Sequence, residues 1–478
     1  MQASMFNLRA PVSNGNEVFL MNTFSDAQLM VSPDVAELLD RVSHGDAAFN
    51  DEEREAIAAL RDNGFIVESR EQERAELKQY FHSMKEDTET FRLTVLTTLQ
   101  CNFACDYCFQ GDHGDYNKFA KKMSLETAGK VVAWVEAQIA TLHPEKFVLT
   151  LFGGEPLLNL PVVYYLAERC HAVCEAAGIP QHISIITNGL LMTPEVVDRL
   201  NPYGLQGIKI TLDGDKDTHN KMRPLRGKQG TFDKILENVR QVAHKVSISI
   251  GGNFDEESWA SYPALLDFLK EQEWADTVAK VNFKPIIKSP EPEKPKGFIP
   301  LTVVGADKPL GGTCMTSAGA GGGKNKAASA CDSCHFIDEK LQFLREETRK
   351  RGFPTPDGVH MGPCEIHRKH AYTMGTEGEL YACPGFTGDQ TQSVAHISGK
   401  VEPWHAAADA RFDVLSPLKE ECGDCSYIPV CGGGCSVAAH TESGDMHTPS
   451  CHKSALESAL VSLAHRMATP ANLQPSAI

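Results

Sequence analysis

The chain has no apolar run of bilayer length, and its start, Met1-Gln2-Ala3-Ser4-Met5, carries no basic segment leading into an apolar one. Neither membrane insertion nor export is expected, and the reading is a cytoplasmic protein. Positive charge is scarce as well: 46 lysines and arginines stand against 63 acidic residues, for a net charge of −17. Phosphate binding along a nucleic acid needs a basic stripe, so no nucleic-acid partner is expected. A nucleotide phosphate loop is also missing, because the glycine-rich stretch Gly319 to Lys324 lacks the glycine-to-lysine spacing of such loops and follows no clear strand. Cysteine, by contrast, is plentiful, with 15 in 478 residues. In a reducing compartment clustered cysteines point to metal rather than to disulfides. A chain of this length exceeds one ordinary core, which implies two or three domains.

Two groups of cysteines stand out. Cys101, Cys105 and Cys108, in the run Cys101-Asn102-Phe103-Ala104-Cys105-Asp106-Tyr107-Cys108, follow directly on the apolar segment Phe91 to Leu99. Three thiolates are one short of a closed four-cysteine site, so a four-iron cube held here keeps one iron open. The second group is Cys364, Cys383, Cys422, Cys425, Cys431, Cys435 and Cys451, with Gly432-Gly433-Gly434 inside it. Its C-x2-C pair is also a zinc-knuckle spacing, so a zinc-organised binding protein without chemistry stays open. Cys170 and Cys174 lie four apart on a predicted helix and read as buried packing residues.

The chain divides by pattern. In residues 1–84, Glu17 to Met21 and Ala27 to Val31 form a hairpin pattern, and Ser32-Pro33 opens a helix with Val35, Leu38, Leu39 and Val42 on one face. A second helix over Asp51 to Asp62, a returning strand at Phe65 to Val67 and a charged linker helix over Glu71 to Met84 complete a winged-helix-like pattern. Residues 85–287 alternate strands and helices, with strands expected at Phe91 to Leu99, Phe147 to Phe152, Ile183 to Ile186, Ile208 to Leu212, Val246 to Ile250 and Val281 to Ile286. Six strands predict an α/β fold of the partial (β/α)6 barrel kind, with chemistry at the carboxyl ends of the strands. Three of those ends carry motifs: Gly153-Gly154-Glu155-Pro156, Thr187-Asn188-Gly189 and Thr211-Leu212-Asp213-Gly214. Residues 288–360 are expected to be an irregular bridging insert, and residues 361–478 a cysteine-rich domain.

The cysteine triplet and these strand ends together resemble the radical S-adenosylmethionine (radical SAM) superfamily, whose CxxxCxxC loop binds a four-iron cluster and whose GGEP-like motif binds the amino group of the cofactor. The resemblance implies that Cys101, Cys105 and Cys108 hold a cluster whose open iron is chelated by S-adenosylmethionine. Reductive cleavage of the cofactor then yields a 5′-deoxyadenosyl radical that abstracts a substrate hydrogen. It further implies that Tyr107, Gly153, Gly154, Glu155, Pro156, Asn188, Thr211 and Arg223 serve the cofactor, Arg223 by pairing with its carboxylate.

The spacing of the seven later cysteines resembles the SPASM extension of these enzymes, which ordinarily holds two auxiliary clusters, for three [4Fe-4S] clusters in all. By that resemblance Cys422, Cys425, Cys431 and Cys451 close one auxiliary cluster. Cys364, Cys383 and Cys435 hold the other, whose fourth position is open or taken by Cys334, Cys331 or Cys314. The first module resembles the peptide-recognition elements of enzymes that modify ribosomally made peptides. The combination implies a peptide or protein maturase forming thioether or carbon–carbon crosslinks, with a precursor peptide or protein as partner and an electron donor such as flavodoxin or ferredoxin. Anaerobic sulfatase maturation is the alternative, but those enzymes resemble one another in an acidic residue after the cysteine matching Cys383. Here Pro384 follows.

Overall fold

The structure is a computed structural model that describes residues 1–12, 16–45, 48–108, 120–286, 332–360, 362–407 and 422–468. The chain opens with β1 (Gln2–Ala3), β2 (Asn7–Pro11), β3 (Val18–Asn22), β4 (Gln28–Val31), α1 (Pro33–His44), α2 (Asp51–Asp62), β5 (Ile66–Val67) and α3 (Arg70–Lys85). Strands β2, β3 and β4 form an antiparallel sheet in that order, and β1 pairs with β5. Helix α1 starts where Pro33 follows Ser32 and stops at Gly45, whose φ of 80° few other residues tolerate. Helix α2 starts on a reciprocal cap: the Glu53 N–H donates to Asn50 Oδ1 at 2.8 Å, and the Asn50 N–H donates back to Glu53 Oε2 at 2.8 Å.

The expected order of strand, strand, helix, helix, strand is present, with two strands ahead of it that were not expected. β2 shows its alternation only in the buried Leu8 and Ala10, too short and too weak a signal to read before folding. One face of its sheet packs through Leu20 onto α1 and α2. The other face, with Leu8, Ala10, Phe19 and Met21, packs on Val359, Tyr427, Leu460 and Leu463 near the far end of the chain. Helix α3 is more than a linker, since its Leu77, Phe81 and Met84 are buried with Met5, Phe6 and Ile428.

Next come β6 (Thr90–Thr98), β7 (Lys146–Gly153), β8 (Gln181–Thr187), β9 (Leu205–Thr211), β10 (Ser247–Phe254) and β11 (Val278–Pro285). They lie side by side in chain order, every pair parallel. Helices Leu125–Leu142, Leu160–Ala177, Pro194–Leu200, Phe232–Val242 and Tyr262–Lys270 connect them. Leu149, Leu151, Ile183, Ile185, Ile208, Ile210, Ile248 and Ile250 fill the core with those helices. The residues between them, such as Thr150, Ser184, Lys209 and Ser249, lie on the opposite face and are only partly buried. A parallel sheet covered on both sides reads as continuous apolar runs, whereas this alternation leaves one polar face that can receive a ligand.

The cysteine-rich region continues the same sheet. β12 (Ala371–Met374) pairs parallel with β6, and β13 (Glu379–Tyr381) and β14 (Ala395–His396) add antiparallel, giving nine strands in a mixed, mostly parallel sheet. Within the stretch expected as an irregular insert, residues 332–350 form the helix Asp332–Lys350, with Leu344 and Thr348 buried. Their spacing of four was the available sign of that helix. Residues 287–331 lie outside the described residues, and so do Cys314 and Cys331. Helices Ser436–Ser443 and Lys453–Ala468 end the described chain. Among the described residues no helix is long and apolar enough to cross a membrane.

Candidate metal and cofactor centre

Strand β6 delivers the chain into the cysteine loop, and the β7 end is fastened against it. The Gly154 N–H donates to the Thr98 carbonyl at 2.9 Å, and the Glu155 N–H donates to the Gln100 carbonyl at 2.8 Å. A Cβ on Gly153, whose φ is 142°, would run into the Thr98 carbonyl, and one on Gly154 into the Gln100 carbonyl. Glycine is therefore required at both positions, because two backbones touch there. Pro156 opens a short turn whose carbonyl accepts from the Thr97 hydroxyl at 3.1 Å.

Glu155 is fully buried, and its carboxylate gathers three donors. The Thr187 hydroxyl reaches its two oxygens at 2.8 and 3.0 Å, the Asn188 N–H donates at 2.8 Å and the Leu157 N–H at 3.0 Å. Burial pushes the Glu155 carboxyl upward; the Asn188 and Leu157 N–H groups, the Thr187 hydroxyl and the Arg223 charge pull the other way. One carboxylate thus ties the ends of β7 and β8 together. Asn188 then reaches the cysteine loop, its amide donating to Asn102 Oδ1 at 2.7 Å.

The far wall of the site is a charged network. Tyr107 donates its hydroxyl to Asp213, and Arg223 donates to Tyr107 and lies 3.4 Å from Asp213. The Asn253 N–H donates to Asp213 at 2.7 Å, and the Asp213 N–H donates to His219 Nδ1 at 3.1 Å. An acceptor at Nδ1 requires a neutral ring, and burial holds His219 well below the usual histidine range. Its other nitrogen lies 3.0 Å from the Thr231 hydroxyl, which donates to the Arg223 carbonyl at 2.8 Å. Asp213, His219 and Asn253 are additions to the expected set. Asp213 sat in a noted strand-end motif, but nothing in the sequence paired it with Arg223. Thr211 lies two residues before it on the inner face of β9, opposite Gly251.

Burial raises the Cys101 thiol to about 12 and Cys105 to about 11, so both stay protonated unless a cation replaces the lost solvent. A site of one buried and two half-buried thiols, flanked by a glycine cradle and by a buried Arg223 Nε with no partner among the described residues, fits an iron–sulfur cluster with an anionic co-ligand. Among the described residues no three His, Cys, Asp or Glu side chains converge on a single ion. Cluster ligands need not do so, because each binds a separate iron.

The later cysteines separate in space. Cys383, pushed up to about 12 by burial, has Cys364 and Cys435 as thiol neighbours. Cys431, also raised by burial, has Cys425 and Cys451. Gly432, Gly433 and Gly434 carry φ of 58°, 92° and 90°, a left-handed run that folds Cys435 back past Cys431. Cys422 packs with the first module beside Met5 and Phe6. His367 is 6% exposed with neither ring nitrogen hydrogen-bonded in the described residues, and its Nε2 faces Gly432. An orphaned buried imidazole of this kind fits a polar group seated there. Cys334 lies in the first turn of the helix Asp332–Lys350, where side chains fall outside the described residues.

Comparison with known proteins agrees with this geometry. Residues 95–269 match the family model described as Radical SAM superfamily. The chain is similar to the GTP 3′,8-cyclase of Clostridium perfringens, 31% identical over 149 residues, 31% of this chain and 42% of the relative. It thus spans about two fifths of the length of the first curated relatives it matches. It is also similar to the AdoMet-dependent heme synthase of Methanosarcina barkeri, 25% identical over 63% of this chain and 80% of the relative. Among solved structures, anSMEcpe with bound AdoMet and the Cp18Cys peptide shares the fold, with a TM-score of 0.55 at 18% identity over 79% of this chain and 99% of that one.

Proposed function

We propose that the chain is a radical SAM enzyme that modifies a ribosomally made peptide or protein by crosslinking it, a reading supported by the match of residues 95–269 to the radical SAM family model. The observation that carries this is the cysteine loop at the carboxyl end of β6, fastened to the Gly153–Gly154 backbone beside a polar sheet face. The peptide found with anSMEcpe supports a peptide as substrate.

When bound, a four-iron cluster and S-adenosylmethionine supply a 5′-deoxyadenosyl radical able to take a substrate hydrogen. Cys101, Cys105 and Cys108 would hold the cluster, leaving one iron for the cofactor. Glu155, already bonded to three donors, fixes the loop ends and presents the backbone of Gly153 and Gly154 rather than a free carboxylate. Asp213 and Tyr107 keep Arg223 charged and aimed, with Nε left for the cofactor carboxylate. Pro156 and Asn188, at the ends of β7 and β8, and Thr211, at the end of β9, would line the rest of the cofactor site. Cys422, Cys425, Cys431 and Cys451 would hold one auxiliary cluster and Cys364, Cys383 and Cys435 the other, with electrons arriving from a flavodoxin- or ferredoxin-type donor.

Residues 1–84 would hold part of the peptide. β4 pairs only with β3 among the described residues, so its outer edge offers backbone donors and acceptors to an added strand.

Anaerobic purification tests the reading: about twelve irons per chain are expected from three four-iron clusters. Dithionite and S-adenosylmethionine should yield 5′-deoxyadenosine, and the triple variant Cys101→Ala/Cys105→Ala/Cys108→Ala should abolish it while keeping auxiliary iron. Persisting 5′-deoxyadenosine in that variant, or a colourless zinc protein, would refute the proposal. A second reading, a tetrapyrrole as substrate, is favoured by the long match to the heme synthase of Methanosarcina barkeri.

A further inference from the structure

The polar face of the sheet carries three lysines close together. Register sets Ser249 of β10 between Lys209 of β9 and Lys280 of β11, and Gly251 between Thr211 and Asn282. One step further along, Asn253 stands opposite Lys284. The middle strand thus contributes a serine and a glycine to a floor flanked by three long cationic side chains. Lys209 lies over that floor, since a Cβ added to Gly251 would stand 2.8 Å from its Cε and 3.7 Å from its Nζ.

Among the described residues no carboxylate pairs with any of the three ammonium groups. Burial and the charges of Lys284 and Lys280 pull Lys209 down to about 8, and no carboxylate counters them. Elsewhere lysines are paired, for example Lys216 with Asp233 and Lys245 with Asp198. Among the described residues Lys209, Lys280 and Lys284 have no such partner, in a chain with 63 acidic residues to choose from. Lys209 is half-buried and Lys280 and Lys284 are exposed, and cations gathered in this way repel one another and are stabilised when an anion enters.

The position matters for chemistry. Asn253, beside Lys284, reaches the Tyr107 hydroxyl at 3.3 Å. Lys284 is also the cation whose charge is felt by the Cys364 and Cys383 thiols. The lysine cluster therefore lies between the cofactor wall and the later cysteines.

We propose that this lysine cluster binds a carboxylate of the substrate, with Lys209, Lys280 and Lys284 as its counter-charges. The inference rests on the reading of this face as the substrate side of a radical SAM domain. An acidic peptide side chain and a tetrapyrrole propionate share that chemistry, and the test separates them.

Calorimetry on the full-length, cluster-loaded protein would use three probes: a glutamate-rich hexapeptide, its glutamine counterpart and coproporphyrin III. The glutamate peptide should bind at least about tenfold more tightly than the glutamine peptide, the scale of one charge-assisted hydrogen bond. The Lys209→Met/Lys284→Gln variant should lose that difference, and Lys209→Arg should keep it. Equal binding of both peptides, undiminished binding by the double variant, or a loss of S-adenosylmethionine affinity in place of peptide affinity would overturn the carboxylate site. Lysine-dependent binding of coproporphyrin alone would support the carboxylate site and overturn the peptide as its source. Failure of the radical chemistry itself would show separately, as absence of 5′-deoxyadenosine from the wild-type protein.

Discussion

Gly154 and Asp213 show how much of the site depends on single residues. Gly154 has no room for a methyl group, because the Gln100 carbonyl occupies it. In Gly154→Ala the cysteine loop must move away from β7, and a backbone clash of this kind costs on the order of 1–3 kcal/mol. The expected outcome is a lower melting temperature together with loss of iron from the first site only; full iron occupancy and unchanged melting would count against the fastening role. Asp213 was legible as part of a strand-end turn, but its meaning was not. A carboxylate at a turn is ordinary, and only the fold brings Tyr107, Arg223 and Asn253 onto it from three other segments.

At the scale of elements, the turn between β3 and β4 is latched to the C-terminal region by His360. Its Nε2 lies 3.0 Å from Asp26, and its Nδ1 bonds to Asp357. The Asp357 hydrogen bond raises His360 above its usual value; burial opposes this, the charges of Asp357 and Asp26 add to it, and Arg466 weakly opposes. A raised histidine stabilises the folded state fully below its unfolded value, about 6.5, and that contribution is lost as pH rises through the folded value. The latch is partly solvent-exposed, so it is worth no more than about 1 kcal/mol. The melting difference between wild type and His360→Ala should therefore be larger at pH 6 than at pH 8.5. A difference that grows with pH would contradict the assignment. The strands and helices themselves were largely legible, because alternation with period two and apolar faces with spacing three and four mark them before any folding. The helix Asp332–Lys350 was hidden by the irregular stretch before it.

Across the whole molecule, the first module and the cysteine-rich region are packed as one. The Thr23 hydroxyl donates to the Ser426 carbonyl at 2.5 Å, the Ser426 hydroxyl donates to the Met5 carbonyl at 2.7 Å, and Arg74 pairs with Asp424. Residues 422–431 thus rest on the module whose sequence resembles a peptide-recognition element. Deleting residues 1–70 would uncover Tyr427, Leu460 and Leu463, each large apolar side chain being worth about 1.5–3 kcal/mol when buried. The truncated protein should melt at lower temperature and, if the proposed auxiliary clusters are present, lose part of their iron, as read by calorimetry and iron content. A truncated protein with wild-type iron and melting would show the contact to be idle.

The sequence by itself determined the periodic elements, the open cysteine triplet and the glycine-rich strand ends, since those follow from side-chain spacing and backbone freedom along one segment. Tertiary structure alone decided what meets across segments. It joined the cysteine-rich hairpin to the edge of β6, turned Asp213 into the partner of Arg223, set three lysines around Gly251 and seated the first module on residues 422–431. Each of these depends on strand register and on which faces pack together, and no local spacing encodes either.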